Sequence, residues 1–178
     1  MFQRCLFTDK PFDIAPSDSY IDDHWATNQE GVALRNNPGW EVLQEGDVEG
    51  TIIGSNLGTL HLLQGTAYMP DPKGDIILFI EDDYEDHAAA FDRHLQSLLH
   101  LPMTSRVRGV VVGRCEEKSG ITPELLRQIL ETKEELRGLP VVTGVDFGHT
   151  TPLITFPIGG TASLHAAKGK ASIRINQH

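Results

Sequence analysis

Two residues, Glu81 and His149, stand just beyond two of the most apolar runs of the sequence, Ile76–Ile80 and Val141–Val145. Polar side chains that follow a buried strand are where layered α/β domains usually expose functional groups. A carboxylate beside an imidazole makes a general base with its orienter: the acid fixes the ring tautomer and stabilises the imidazolium. Spacing alone does not join the two, and each has a plainer reading. Glu81 opens the run Glu81-Asp82-Asp83-Tyr84-Glu85-Asp86, which suits a solvated helix start favoured by the positive end of the helix dipole. His149, in Asp146-Phe147-Gly148-His149-Thr150, suits a turn histidine with its hydrogen bonds satisfied. A third reading makes the same acids, with His149, ligands of a hard metal in a metal-dependent hydrolase, although no glycine-punctuated calcium loop is present.

An attacking group is harder to find. No serine stands in Gly-x-Ser-x-Gly, and neither Cys5 nor Cys115 has the surroundings of an activated thiol. Ser55, in Gly54-Ser55-Asn56, is the serine at a sharp strand-to-helix turn, where the alternative is plain turn geometry with Asn56 capping the helix. Arg114 follows Val110-Val111-Val112-Gly113 at another strand end and suits either a ligand carboxylate or an ion pair with a local acid. Trp25, in Asp22-Asp23-His24-Trp25, is either a stacking platform or a packing residue, and Trp40 reads as core.

These candidates need elements to position them. Residues 1–40 are broken by Pro11, Pro16, Pro38, Gly31 and Gly39 and read as a lead-in. From 41 onward, short β-branched runs alternate with helical periods, which predicts one compact mixed α/β domain. Strands are expected at Glu41–Leu43 and Val48–Gly54, joined by a turn, and at Asp75–Glu81, Val107–Gly113, Pro140–Val145, Leu153–Phe156, Thr161–Ala166 and Ala171–Ile175. Helices are expected after Asn56, over the stripe Ala88, Phe91, Leu95, Leu98 and Leu99, and from Thr122-Pro123 through Leu136.

The composition is that of a globular chain: 178 residues, 39% hydrophobic and 22% charged, enough to bury a core without disulfide or metal. No apolar run is long enough to span a bilayer, and no secretory signal is visible. Two distant cysteines outside any CxxC pair suggest reduced thiols in the cytoplasm. With 15 Lys and Arg against 25 Asp and Glu, the net charge of −10 repels phosphate, so nucleic acid and anionic membrane are not expected partners.

Several motifs occurring in order carry a resemblance. They are Gly50-Thr51-Ile52-Ile53-Gly54-Ser55-Asn56-Leu57, Gly65-Thr66-Ala67-Tyr68, Ile77-Leu78-Phe79-Ile80-Glu81-Asp82, Asp92-Arg93, and Asp146-Phe147-Gly148-His149-Thr150-Thr151-Pro152. Together they resemble the C-terminal half of the LD-carboxypeptidases, from about residue 46 to about residue 160. The resemblance implies a layered β/β/α swivelling domain that supplies the Glu and His of a Ser-His-Glu triad, here Glu81 and His149. It implies that the serine and oxyanion hole lie in an N-terminal domain of the same polypeptide, so that these 178 residues alone are inactive. No metal or organic cofactor is implied, and a homodimer is. Ser55 stands where the family usually has Gly, a change beside the ligand cavity near Asn56. Gly65-Thr66-Ala67-Tyr68-Met69-Pro70 and Gly113-Arg114 resemble the microcin-immunity branch, which cleaves an amide in peptide-nucleotides, rather than the branch that trims murein tetrapeptides. By that resemblance Asn56, Trp25 and Arg114 are the substrate-binding candidates. A non-catalytic binding module that kept the fold is the rival expectation.

Overall fold

The computed structural model describes residues 2–22 and 32–178, so Trp25 lies outside the described residues. Among the described residues the elements run α1 (Phe2–Leu6), β1 (Phe12–Ile14), β2 (Ser19–Tyr20), β3 (Arg35–Asn36), β4 (Glu41–Gln44), β5 (Gly46–Asn56), α2 (Leu57–His61), β6 (Ile76–Glu81), α3 (Ala88–Leu99), β7 (Val107–Arg114), α4 (Pro123–Glu131), β8 (Val141–Gly148), β9 (Thr161–Ala167) and β10 (Lys170–Gln177). Eight strands make one mixed sheet in the order β1-β10-β9-β5-β6-β7-β8-β4, with β5 through β8 mutually parallel and β2 pairing β3 apart from it.

One long strand explains the layering. The first half of β5 pairs antiparallel with β9 over Gly46–Thr51, and its second half pairs parallel with β6 over Thr51–Asn56. The strand thereby passes from one β layer to the other, which is the bend by which a single sheet packs on itself. Strand β6 is buried throughout, and its alternate side chains feed two cores. Ile76, Leu78 and Ile80 pack with Phe91, Leu95 and Leu98 of α3 and with Leu126 and Leu130 of α4. Ile77 and Phe79 pack with Leu164 of β9, Ile173 and Ile175 of β10, and Val142 and Phe147 of β8. Helices on one face and a second β layer on the other give the β/β/α arrangement expected.

Local signals set the helices. The Asn56 side chain accepts a hydrogen bond from the Thr59 backbone N–H at the start of α2, and Thr122 Oγ1 accepts from the Leu125 N–H at the start of α4. The stripe Phe91, Leu95, Leu98 and Leu99 is the buried face of α3.

Four expectations are corrected. The lead-in is not outside the sheet, since Phe12–Ile14 forms its edge strand against β10. Strands β4 and β5 are not a hairpin: β4 pairs with β8 at the opposite edge. The helix from Pro123 ends at Glu131, because Lys133 takes an extended backbone and buries its ammonium against Asp92, leaving Leu136 in a separate turn. Residues 153–156 form no strand. There Ile154 N–H donates to the Asp146 carbonyl, and Phe156 inserts against Phe79 and Phe147 with ring centroids 4.9 and 5.2 Å away, drawing the backbone out of sheet register.

Candidate active site

The parallel strands β5, β6, β7 and β8 end on one edge of the sheet, and each brings a polar residue there: Asn56, Glu81, Arg114 and, one residue past Gly148, His149. Register makes this a single row, with Asn56 opposite Glu81 and Arg114 opposite Gly148. The carboxyl ends of parallel strands are the usual location of function in such sheets.

Within the row, Glu81 and His149 meet. His149 Nδ1 lies 2.8 Å from Glu81 Oε2, and an ionised carboxylate accepts only, so Nδ1 carries the proton and Nε2 is the free basic atom. The glutamate is 7% exposed whereas the His149 side chain is 43% exposed, so a buried acid holds a ring that faces outward. Burial pushes the Glu81 carboxyl above its ordinary range, opposed by the His149 imidazole. Burial lowers the His149 pKa, but Glu81, Asp83 and Glu116 together outweigh it and leave the ring raised above the usual histidine value. Asp83 Oδ2 stands 4.0 Å from Nε2.

Two glycines make room for the glutamate. A Cβ at Gly148, whose φ is +109°, would stand 2.6 Å from Glu81 Oε2, and a Cβ at Gly113 would stand 2.8 Å from Glu81 Cβ. Sequence reasoning did not single out either glycine, although both belong to motifs it quoted.

The acidic run is not a solvated helix start at its head, because Glu81 and Asp82 are buried and α3 begins only at Ala88. Asn56, besides capping α2, donates from Nδ2 to Asp82 Oδ1 at 3.0 Å. Burial, and then the neighbouring Asp86, push Asp82 up to about 7. Among the described residues the donors near enough to one another to share an ion are Asp82, Asp86 and His94, and His149 is not one of them. Ser55 is exposed in the last turn-ward residues of β5.

Arg114 makes the local ion pair set out as its alternative. Its Nη2 donates to Asp146 Oδ1 at 2.9 Å, to Asn37 Oδ1 at 2.9 Å and to the Gly144 carbonyl at 3.1 Å, while the guanidinium lies 4.2 Å over the Tyr20 ring. It also lines a cavity of about 380 Å³ with Tyr20, Asp22, Arg35, Leu126 and Thr143. Asp22 and Arg35 flank in sequence the stretch that contains Trp25. Neither Glu81 nor His149 lines this cavity, and Gly113 is the shared wall between it and the pair. Among the described residues no helix is long and apolar enough to cross a membrane.

Comparison with known proteins identifies the family and the fold. The profile of the LD-carboxypeptidase C-terminal domain matches residues 49–164. A Bacillus subtilis (strain 168) protein named "Putative carboxypeptidase YocD" is 46% identical over 177 residues, which is 99% of this chain and 54% of that protein. The "Microcin C7 self-immunity protein MccF" of Escherichia coli is 33% identical over 119 residues, 64% of this chain and 33% of that protein. Among solved structures, an MccF-like protein from Bacillus anthracis str. Ames superposes with a TM-score of 0.94 at 40% identity, covering 99% of this chain and 54% of that one. MccF in complex with aspartyl sulfamoyl adenosine superposes with a TM-score of 0.76 at 27% identity, covering 95% and 51%. The chain thus spans about half the length of the Bacillus subtilis and Bacillus anthracis proteins it matches. It belongs to the LD-carboxypeptidase family, as that family's C-terminal domain.

Proposed function

We propose that the whole protein hydrolyses an amide bond by a Ser-His-Glu triad in which His149 is the base and Glu81 its orienter. The observation that carries this reading is the 2.8 Å contact between a buried Glu81 carboxylate and Nδ1 of a half-exposed His149, which leaves Nε2 free. In the reaction Nε2 takes the proton from a serine hydroxyl as the serine oxygen bonds to the substrate carbonyl. The same proton passes to the leaving amine as the C–N bond breaks, and water then releases the acid and restores the serine. We place that serine, and the oxyanion donors, in a part of the polypeptide that corresponds to the uncovered half of the relatives. The 178-residue chain alone is then expected to show no turnover.

A peptide-nucleotide is the substrate we favour. The similarity to MccF, solved with aspartyl sulfamoyl adenosine, supports it, as does a cavity beside the pair that is lined by Arg114 and by both flanks of the Trp25 stretch. In this reading Asn56, Arg114 and Trp25 contact substrate. A murein L,D-tetrapeptide is the second candidate, because the more identical YocD is named a carboxypeptidase. The test is hydrolysis of both substrates by the full-length gene product beside Glu81→Ala and His149→Ala. Glu81→Ala should lose roughly 10⁴-fold and His149→Ala roughly 10⁶-fold in kcat, the scales of removing a triad acid and a triad base. Undiminished activity in both would overturn the assignment and leave Glu81 and His149 as a structural pair.

A further inference from the structure

Behind the Glu81–His149 pair, between α2 and α3 on the helical face of the sheet, lies a second group of donors that the proposed reaction does not use. An oxygen of Asp82, an oxygen of Asp86 and a ring nitrogen of His94 all lie within 4.8 Å of one another. Asp82 is 2% exposed. Its Oδ1 accepts from Asn56 Nδ2 at 3.0 Å and from the Asp83 N–H at 3.1 Å, while its Oδ2 is buried with no hydrogen-bond partner among the described residues. His94 Nδ1 is also buried and makes no hydrogen bond, standing 3.5 Å from Asp86 Oδ2. The His61 ring stacks on His94 at 4.5 Å between centroids, and its Nδ1 is likewise without a partner. The Asp86 carboxylate occupies a space that Gly58 leaves open, since a Cβ there would meet Asp86 Oδ2 at 2.3 Å.

A buried carboxylate oxygen with no donor is costly, and orphaned acceptors that converge on one point are what a cation satisfies. We propose that Asp82, Asp86 and His94 bind one divalent transition-metal ion of the zinc or manganese type, at a site separate from Glu81 and His149. Two carboxylates and one imidazole make an oxygen and nitrogen donor set that suits these ions better than calcium, which takes six to eight oxygens. Ligand atoms bound at about 2.0–2.2 Å sit roughly 3.0–3.5 Å apart. His94 Nδ1 and Asp86 Oδ2, 3.5 Å apart, already stand at about that spacing, and water completes the coordination. The ion fastens the loop after β6 to α3, and so fixes the backbone that carries Glu81 and Asp83. No reaction step passes through it, and it adds a metal to a chain for which the family resemblance implied none.

The test titrates the chelator-stripped 178-residue chain calorimetrically with zinc chloride, and separately with manganese chloride, beside Asp86→Asn, His94→Gln and His149→Ala. The proposal expects one ion per chain, binding at least about tenfold weaker in Asp86→Asn and His94→Gln, and no change in His149→Ala. It also expects excess ion to raise the Tm of the parent by roughly 5 °C, as ligation of the folded state does. Absence of saturable binding, or affinity retained in Asp86→Asn and His94→Gln, overturns it, as does loss in His149→Ala. If either ligand variant fails to fold, the imidazole nitrogen resonances of the parent chain decide. Zinc must shift those of His94, and shifts confined to His100, His165 and His178 overturn the site.

Discussion

His149 is held by one carboxylate at Nδ1 and faced by another, Asp83, 4.0 Å from Nε2. Burial disfavours its imidazolium form, but Glu81, Asp83 and Glu116 reverse that and raise the ring above its ordinary value of 6.5. A base must be deprotonated at Nε2 to accept a proton, so activity rises as pH climbs through the raised value. The acid limb of kcat/KM in the full-length protein is therefore expected above pH 6.5. Asp83→Asn removes one charge that favours the imidazolium and should move the limb to lower pH; a limb that stays in place shows that Asp83 does not set it. Gly148 gives a steric counterpart to this electrostatic test. Alanine there places a Cβ 2.6 Å from Glu81 Oε2 on a backbone with φ of +109°, so either the carboxylate or the turn must move. A displacement near an ångström at a catalytic group costs about a hundredfold, which is the fall in kcat expected for Gly148→Ala. Activity close to wild type would mean that the carboxylate has more freedom than the packing around it indicates.

At the scale of elements, the site depends on strands that stop at a common edge and helices that start where they should. Thr122 caps α4 through its hydroxyl, so Thr122→Ala leaves the Leu125 N–H without its partner and should lower stability by about 1 kcal/mol in denaturant melts. A loss near zero would show that water replaces the cap. Much of this architecture was legible because the signals are local. The unbroken Ile76–Ile80 run announces a strand buried on both faces, the stripe from Phe91 to Leu99 announces a helix face, and Asn56 and Thr122-Pro123 announce helix starts. What sequence could not deliver is long-range. Phe12–Ile14 pairs with Ile173–Ile175 from the far end of the chain, and β4 leaves its sequence neighbour β5 to pair with β8. Leu153–Phe156 has strand composition, yet Phe156 is taken by the aromatic cluster with Phe79 and Phe147. The site followed the same division. Glu81 and His149 were visible as strand-end residues, but their contact, and the two glycines that accommodate the carboxylate, exist only once β6, β7 and β8 lie side by side.

Across the whole molecule, one buried node joins the N-terminal segment to the functional edge. Asp146, with a side chain 1% exposed, accepts from Ser17 N–H at 2.8 Å, from Ser17 Oγ at 3.1 Å, from Asn37 Nδ2 at 3.1 Å and from Arg114 Nη2 at 2.9 Å. Ser17 and Asn37 lie on either side of the stretch that contains Trp25, and a bridge between Ile21 and Thr151 ties the same segment to the turn after His149. The stretches around Ser17 to Ile21 and at Asn37 are therefore fastened to the end of β8 by polar and charged contacts. Removing the aspartate leaves the Arg114 guanidinium buried without its counter-ion, a loss that elsewhere amounts to about 3–5 kcal/mol. Asp146→Ala should destabilise the chain on that scale and release the segment first. In hydrogen exchange, the Ser17 and Ile21 amides should lose protection under native conditions, while Ile77 and Val111 amides inside the sheet retain theirs up to global unfolding. In the full-length protein, that release should weaken binding of a peptide-nucleotide, whose proposed cavity Tyr20, Asp22 and Arg35 line, while leaving the spacing of Glu81 and His149 intact. Its signature is therefore a raised KM at a kcat close to that of the parent. A fall in kcat at unchanged KM would instead mean that the node positions the catalytic pair, and that the segment it holds contributes nothing to substrate capture.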